Sequence, residues 1–288
     1  MDKKTIVQLK KRCPLLFALV VKSSFLTRII SNLDYFNYIY CLMRDRPYFG
    51  AFRLAGQTWE ERKPWMRQMI AEYVRREPGR YIHLLEIGSW AGNSAVIWAE
   101  AIKASGAQAT VLCVDAWEPY MQESDHDRTN VATRLMNDDL RRGRIFKLFL
   151  YNVTAAGHGD TIFPFKGRSN QILPHLHAGI FDIAYIDGDH RYSQLMVDLN
   201  HCARCLRDGG ILCGDDLDVS GDGIDYPRAY QYRECNVIVD AQTKKVIHPG
   251  VCAAFADFFG KEALRQLPNY NGFWAMRKHA GRWEAVQL

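Results

Sequence analysis

The chain has 288 residues, of which 48% are hydrophobic and 24% charged, and its net charge is +5. This length suffices for one large domain with a substantial core, and the composition excludes a disordered, collagen-like or disulfide-rich chain. The charge is uneven, because residues 1–80 hold 16 Lys/Arg against 7 Asp/Glu, whereas the rest holds 21 against 25.

The N-terminal part is predicted to be helical and basic. Residues 1–45 contain no Gly and space their apolar residues by three and four. The apolar run 14–21 is too short to span a bilayer, and no small-residue cleavage site follows it. A basic amphipathic helix on a membrane surface stays open for residues 3–32, although a solvated helical face is favoured. Residues 58–77 predict an amphipathic helix, kinked at Pro64.

After residue 80 the pattern alternates between strand and helix, which is typical of a mostly parallel sheet with helices on both faces. We therefore predict a doubly wound, Rossmann-like α/β fold with an N-terminal helical extension over 1–57 and one domain over 58–288. The predicted strands are 81–87, 110–114, 161–165, 181–186 and 210–213. The predicted helices between them are 94–104, 130–141, 145–156, 169–176 and 193–206.

The C-terminal part predicts a different arrangement. Residues 236–239 and 245–247 flank a polar turn and indicate a hairpin, followed by a helix over 251–259 and a strand over 272–277. Residues 217–235 are predicted to be irregular, as in a lid or substrate loop. The eight cysteines form no disulfide framework or zinc pattern, so a reducing, cytoplasmic setting is expected.

The turn after the first strand predicts a ligand site. Gly88 allows a sharp turn and Gly92 a close approach to the backbone, at the start of a helix that favours an anionic group. Glu86 can hold a cationic amine and Ser94 a carboxylate, which together describe the end of an amino acid. Position 90 is not Gly, which disfavours the dinucleotide fingerprint G-x-G-x-x-G of nicotinamide enzymes.

The end of the second strand adds a second ligand feature. Asp115 follows an apolar strand, and an acidic residue there commonly accepts both ribose hydroxyls. An amino-acid end and a ribose together point to S-adenosylmethionine (SAM).

Two carboxylate clusters follow two later strands. Asp187-Gly188-Asp189-His190 comes after strand 181–186, and Asp215-Asp216 follows strand 210–213. Ligands bind at the carboxyl ends of parallel strands, so neighbouring strands would bring both clusters together. Carboxylates forced together need a hard cation to offset their repulsion. Capping of the next helix would explain Asp189 alone.

With these motifs, residues 80–217 resemble the SAM-dependent methyltransferases with a Rossmann-like sheet. Within them the chain is most similar to metal-dependent small-molecule O-methyltransferases, of which catechol O-methyltransferase and the cephalosporin and macrolide enzymes are examples. The resemblance implies a set of cofactor-binding residues: Glu86, Gly88, Ser89, Trp90, Gly92, Ser94, Asp115, Ala116, Trp117, Ser169, Asn170 and Asp187.

The resemblance also implies a metal site and its chemistry. Asp187, Asp215 and Asp216 match the family's three ligands for Mg²⁺, or Mn²⁺ as a substitute. His190 stands where the catechol enzyme has its basic lysine, so His190 and Asp187 are the predicted catalytic residues; His190 could instead orient an aspartate.

The predicted activity is metal-dependent O-methylation of a small molecule or saccharide, through a vicinal diol or catechol-like acceptor in natural-product or saccharide biosynthesis. A homo-oligomer without a nucleic-acid partner is expected. The alternatives are a non-catalytic SAM-binding protein and a nicotinamide-dependent oxidoreductase on a related fold.

Overall fold

The structure, a computed structural model, describes residues 33–57, 60–120, 131–217, 225–239, 246–268 and 270–288. The predicted helical segment up to residue 32 and the predicted helix start at Thr58 and Trp59 lie outside these residues. The chain divides into two compact units. The first comprises Met1–Gln57, Trp90–Asn93 and Trp117–Gly157, and the second Thr58–Ser89, Ser94–Ala116 and His158–Leu288. The predicted domain division between residues 57 and 58 stays a prediction.

Helices and strands alternate along most of the described chain. The α-helices are α1 Tyr35–Met43, α2 Lys63–Arg76, α3 Asn93–Ala104, α4 Val131–Arg141, α5 Arg144–Ala155, α6 Ser169–Ile172, α7 Tyr192–Cys205, α8 Tyr226–Gln231, α9 Pro249–Phe259 and α10 Lys261–Gln266. The strands are β1 Ile82–Ile87, β2 Ala109–Asp115, β3 Ile162–Lys166, β4 Phe181–Ile186, β5 Leu206–Gly214, β6 Ile238–Val239, β7 Val246–Ile247, β8 Trp274–His279 and β9 Arg282–Ala285.

The second unit is built on a seven-stranded sheet in the order β3-β2-β1-β4-β5-β8-β9. The first five strands in this order are parallel, and β8 and β9 are antiparallel to their neighbours. Strand β4 is buried along its whole length, as expected for a central parallel strand with both faces covered. The sheet confirms the predicted α/β, Rossmann-like, mostly parallel fold.

The core of the second unit also contains a buried ionic network. Asp182, which has no exposed surface, accepts hydrogen bonds from the Tyr73 hydroxyl, Arg80, Arg207 and the backbone N–H of His83. These donors outweigh the burial that would raise the pKa of Asp182, so the pKa is lowered. A buried carboxylate with this many donors is tolerated, whereas the same carboxylate without partners would be strongly destabilising.

The first unit packs its helices around a small apolar cluster that includes Tyr48, Ala91 and Leu148. The buried Asn152 side chain links two members of this cluster by hydrogen bonds. It accepts from the Tyr48 N–H and donates to the carbonyls of Tyr48 and Ala91. Asp139 receives Arg53 at 2.7 Å and Arg144 at 3.0 Å. The helical segment before residue 57 is therefore joined to later parts of its own unit by side-chain hydrogen bonds.

Three local predictions were wrong. Pro64 does not kink a helix, because α2 begins at Lys63 and Pro64 therefore lies in its first turn. Backbone N–H groups in the first turn of a helix have no acceptor within the helix, so the N–H that proline lacks is not missed there. The predicted helix 169–176 is α6 followed by a 3₁₀ turn over Leu173–His175. The segment 217–235 is not wholly irregular, since it contains α8, whose N-terminus is capped by the Asp225 side chain.

The hairpin prediction is confirmed in the antiparallel pair β6 and β7. Among the described residues, no helix is long and apolar enough to cross a membrane.

Candidate active site

The register of the parallel strands brings the predicted site residues to one edge of the sheet. Ile87 in β1 pairs with Val114 in β2 and with Ile186 in β4, and Ile186 pairs with Gly214 in β5. The residues that follow these partners are Gly88, Asp115, Asp187 and Asp215. Their common position follows from the strand order alone, since parallel strands end at the same edge.

Gly88 fits this edge because of its conformation and its neighbours. Its φ is +84°, and a Cβ there would overlap the Asp187 carbonyl group and approach the Gly188 Cα to 2.6 Å. The N–H of Asp187 donates to the Ile87 carbonyl at 2.8 Å. The turn after β1 and the acidic turn after β4 are therefore in direct backbone contact, and only glycine leaves room for it.

Glu86 is a buried carboxyl with one unsatisfied oxygen. It has no exposed surface, and its Oε1 accepts from the Ser94 hydroxyl at 2.8 Å. Its Oε2 has no hydrogen-bond partner among the described residues. Burial raises the pKa of Glu86 to about 8, an effect that outweighs the hydrogen bond from Ser94. This oxygen is suited to a cation that brings its own hydrogen-bond donors.

Asp115 is positioned by the turn beside it. Its Oδ2 accepts from the Ser89 N–H at 2.9 Å, and the Gly88 N–H donates to the Val114 carbonyl at 3.0 Å. Ala116 follows directly and is half-buried. The predicted ribose acceptor therefore lies beside the turn that is predicted to hold the methionine part.

The predicted adenine turn lies at the start of α6. Ser169 is half-buried, its hydroxyl accepts from Gln194 at 3.1 Å, and Asn170 is exposed. Gln194 also donates to Asp198 at 3.0 Å. Burial raises the pKa of Asp198 to about 7, so the carboxyl that supports this turn from α7 takes up a proton much more readily than an exposed aspartate.

Three predicted cofactor residues belong to the first unit. Trp90 has a φ of +46° and donates through its indole to the Leu54 carbonyl at 2.9 Å. Trp117 is buried against Phe149 and donates to the Trp90 carbonyl at 2.7 Å. At Gly92, with a φ of +86°, a Cβ would lie 3.0 Å from the Phe149 ring, so this glycine also serves packing within its own unit.

The carboxylates after β4 and β5 meet in one cluster. The Tyr185 hydroxyl lies 3.1 Å from Asp187 Oδ2 and 3.4 Å from Asp215 Oδ2. The Arg62 guanidinium contacts Asp215 Oδ2 and lies 2.9 Å from Asp216 Oδ1. Asp215 Oδ1 accepts from the Asp216 N–H at 2.9 Å. Both oxygens of Asp215 are thus engaged by protein donors.

Asp216 lies between a guanidinium and two imidazoles. Its Oδ2 is 3.1 Å from His190 Nε2 and 3.8 Å from His248 Nε2. The rings of His190 and His248 have centroids 4.7 Å apart. Asp216 has a φ of +61°, a conformation that costs of order 1 kcal/mol or more for a residue other than Gly and that clusters at functional sites.

The pKa values of the neighbouring Asp215 and Asp216 are shifted in opposite directions. Burial would raise the pKa of Asp216, but His248, His190 and Arg62 hold it well below its usual range. Burial raises the pKa of Asp215 despite Arg62, and Asp216 and Asp187 add to the rise. Burial alone would lower the pKa of His190, yet Asp216 and Asp187 raise it to about 9.

Asp189 has a separate partner. Its two oxygens each lie 3.0 Å from Arg191 Nη1, and one also accepts from the Arg191 N–H. Arg191, not Asp189, is the residue that precedes the first turn of α7. Asp189 therefore forms a local turn and ion pair, and the alternative that it caps the helix does not apply.

Several members of the cluster were missed by the sequence analysis. Arg62 and His248 are distant in sequence from the carboxylates and belong to no motif. Tyr185 could have been found, because residues two apart on a strand point to the same face and Asp187 follows two positions later. Asn236, whose Oδ1 lies 3.2 Å from His190 Nδ1, had no sequence signal.

Solved structures similar to this chain include several methyltransferases. The O-methyltransferase NovP is 15% identical, with 76% of this chain and 80% of that chain covered and a TM-score of 0.49. SAH-bound PaMTH1 from Podospora anserina is 17% identical, with 81% of each chain covered and a TM-score of 0.41. Cofactor-bound Rv0187 from MTB is 19% identical, with 56% and 57% covered and a TM-score of 0.39.

This chain thus spans little more than half of Rv0187. All three TM-scores are below 0.5, so these similarities add nothing to the assignment of an activity. The comparison with curated proteins found no match. Residues 85–217 match a family model described as "Methyltransferase domain". That segment contains every predicted cofactor, catalytic and metal residue, from Glu86 to Asp216. The chain therefore contains a segment, residues 85–217, that matches a methyltransferase domain.

Proposed function

We propose that this protein is a SAM-dependent O-methyltransferase that uses a divalent cation and acts on a hydroxyl of a small molecule or saccharide. One observation carries the proposal. The same edge of the sheet in the second unit holds a buried carboxyl suited to an amine and a cluster of three further carboxyls. A methyl donor and a cation that activates the acceptor are the two components that such a reaction needs.

The residues after β1 fit the methionine end of SAM. The ammonium of that end matches the buried Glu86 Oε2, which has no other partner among the described residues. Ser94, which donates to Glu86 Oε1, is buried beside it, and Asp115 is the proposed ribose acceptor. When bound, SAM supplies an electrophilic methyl group. The turn at Gly88 orients the donor by holding its methionine end, because orientation is a large part of catalysis in a displacement reaction.

The carboxyl cluster fits a divalent cation by charge. With Asp187, Asp215 and Asp216 ionised and the two imidazoles of the cluster neutral, three negative charges face the single positive charge of Arg62. The net charge of −2 is balanced by one divalent cation, for which Mg²⁺ or Mn²⁺ is proposed with these carboxylates as ligands. When bound, the cation lowers the pKa of an acceptor hydroxyl. The proton passes to a base in the cluster, for which His190 and Asp187 are the candidates.

The acceptor is proposed to be a vicinal diol, as in a catechol or a sugar, because a cation that activates a hydroxyl is fixed best by two substrate oxygens. Metabolism of natural products or saccharides is the proposed context.

Two measurements test the proposed function. Calorimetric titration of the full chain with SAM and with S-adenosylhomocysteine should show one site for each. A radiolabel assay with methyl-labelled SAM should transfer label to catechols or sugar diols, and a chelator should reduce the transfer. Binding of NAD(H) instead of SAM would contradict the proposal, and SAM binding without transfer to any hydroxyl would favour a non-catalytic SAM-binding protein.

A further inference from the structure

We propose that His190, Asp216 and His248 form the metal site of this protein, and that the site selects a cation that accepts imidazole nitrogen, such as Fe²⁺, Co²⁺, Zn²⁺ or Mn²⁺, over Mg²⁺. The inference rests on the proposed function, in which a divalent cation activates the acceptor. It keeps Asp216 as a ligand, and it replaces Asp187 and Asp215 by His190 and His248. His248 belongs to no motif of the methyltransferase segment. It comes from the residue between β7 and α9, outside residues 85–217.

The first reason is that Asp215 is already occupied. Its Oδ2 is contacted by the Arg62 guanidinium and faces the Tyr185 hydroxyl, and its Oδ1 accepts from the Asp216 N–H. Arg62 is itself buried and its Nε donates to the Asn271 carbonyl at 2.8 Å. A cation on Asp215 would have to displace a buried guanidinium, which carries a permanent charge and has other partners.

The second reason is that three donor atoms converge elsewhere. One atom from each of His190, Asp216 and His248 lies within 4.8 Å of the other two. The distances to Asp216 Oδ2 are 3.1 Å from His190 Nε2 and 3.8 Å from His248 Nε2. Ligands about 2.1 Å from one ion are separated from each other by roughly 3.0 to 3.4 Å. The observed spacings require only small side-chain shifts to reach this range.

The third reason is the orientation of the His190 ring. Its Nδ1 is 3.2 Å from the Asn236 side-chain oxygen, which fixes the hydrogen on Nδ1 when the ring is neutral. Its Nε2 is buried and has no hydrogen bond of acceptable geometry among the described residues, although Asp216 Oδ2 is close. A metal-binding histidine almost always donates its other ring nitrogen to an oxygen in this way.

The class of the cation follows from the donor atoms. Two imidazole nitrogens and one carboxylate oxygen suit Mn²⁺, Fe²⁺, Co²⁺ and Zn²⁺, whereas Mg²⁺ favours oxygen ligands and water. The three side chains are mostly buried, with 18%, 12% and 16% of the side chains of His190, Asp216 and His248 exposed.

The inference also changes the assignment of the base. A nitrogen that holds a metal ion accepts no proton, so His190 acts as a ligand and Asp187 is the base that remains in the cluster. Asp187 Oδ2 accepts from Tyr185, and its Oδ1 lies 3.7 Å from His190 Nε2. Its side chain is 21% exposed, more than those of Asp215 and Asp216.

Pulsed electron paramagnetic resonance of the full chain loaded with Mn²⁺ tests the ligand set without any substitution. Imidazole nitrogen bound to Mn²⁺ produces ¹⁴N modulation of the electron spin echo. We expect that modulation. If one Mn²⁺ binds per chain and the spectrum shows no ¹⁴N modulation, the inference is overturned. It is also overturned if calorimetric titration shows binding of neither Mn²⁺ nor Zn²⁺.

A pair of variants then separates the two ligand sets. His248→Gln should weaken Mn²⁺ binding by about tenfold or more, while Asp215→Asn should change it by less than about threefold. The control His175→Gln alters an exposed histidine in the 3₁₀ turn and should leave Mn²⁺ affinity unchanged. The reverse pattern, with loss in Asp215→Asn alone, would establish the three-carboxylate set and refute the inference.

Binding of S-adenosylhomocysteine to the same samples separates this inference from the proposed function. If the unsubstituted chain binds no S-adenosylhomocysteine, the proposed function fails whatever the metal data show. If it binds S-adenosylhomocysteine and Mn²⁺ without ¹⁴N modulation, only the His190, Asp216 and His248 site fails. Far-UV circular dichroism of each variant confirms that the fold is kept.

Discussion

The contact between the turn after β1 and the acidic turn after β4 predicts that Gly88→Ala is unusually destabilising. Gly88 has a φ of +84°, and the new Cβ would lie 2.6 Å from both the Asp187 carbonyl carbon and the Gly188 Cα. These neighbours are backbone atoms of the turn after the central strand β4. They cannot move aside as the end of a flexible side chain could, so the overlap must be relieved by a shift of the backbone.

The magnitude has two parts. A left-handed conformation costs an alanine roughly 1 to 2 kcal/mol. Overlap with a well-packed neighbour adds about 1 to 3 kcal/mol. Gly88→Ala should therefore lower the free energy of unfolding by about 2 to 5 kcal/mol. The same shift should displace Asp187 and weaken binding of S-adenosylhomocysteine.

Gly106→Ala is the matched control. Gly106 also has a positive φ, +74°, but no atom lies within 4 Å of a Cβ placed there. Urea denaturation followed by tryptophan fluorescence should show only the conformational part, about 1 to 2 kcal/mol, for Gly106→Ala. If Gly88→Ala is no more destabilising than Gly106→Ala, the reasoning from backbone overlap is refuted.

Three further substitutions have defined outcomes. Glu86→Gln should weaken S-adenosylhomocysteine binding in calorimetry by about tenfold or more, since a hydrogen bond to a charged group contributes about 1.5–3 kcal/mol; equal affinities would remove Glu86 from the amine site. Asp198 has its pKa raised to about 7, so from pH 4 to 7 the folded chain keeps a proton that the unfolded chain loses. The free energy of unfolding should fall over that range by up to about 1.4 kcal/mol per pH unit from this group. Urea denaturation at several pH values should show that the free energy of unfolding of Asp198→Asn depends less steeply on pH than that of the unsubstituted chain; an equal pH dependence contradicts the assignment. Asp182→Ala should destabilise by about 2–5 kcal/mol, because it removes the acceptor of the buried Tyr73 hydroxyl and of the His83 N–H. Exposed Asp160→Ala should change stability by under about 0.5 kcal/mol, and similar losses in both would exclude a stabilising role for the network.

Much of the fold could be predicted because its signals are local. The apolar runs that become β1, β2 and β4 are bounded by Gly, Asp and helical segments, so their limits were predicted within one residue at either end. Strand β5 was predicted four residues too short at its start, because Leu206–Gly209 contains Arg, Asp and Gly, which favour a turn over a strand. The short helices α8 and α10 were missed because six residues carry too little periodicity.

Part of the candidate site followed from the same local signals. Asp115, Asp187 and Asp215 each end or follow a strand, and a parallel sheet brings such ends together whatever the intervening sequence. Gly88 was expected to allow a sharp turn, which its positive φ confirms. For Gly92 the packing is against Phe149, which no local pattern indicates.

By itself, the sequence determined the alternation of strands and helices in the α/β sheet and the strand ends at which Glu86, Asp115 and the carboxylates lie, because periodicity and strand ends are encoded in neighbouring residues. Only the tertiary structure decided which charges neutralise those carboxylates. Arg62 and His248 reach Asp216 from positions 154 residues before it and 32 residues after it in the chain. Contacts over such separations depend on how helices pack on the sheet, and no spacing within the sequence specifies them.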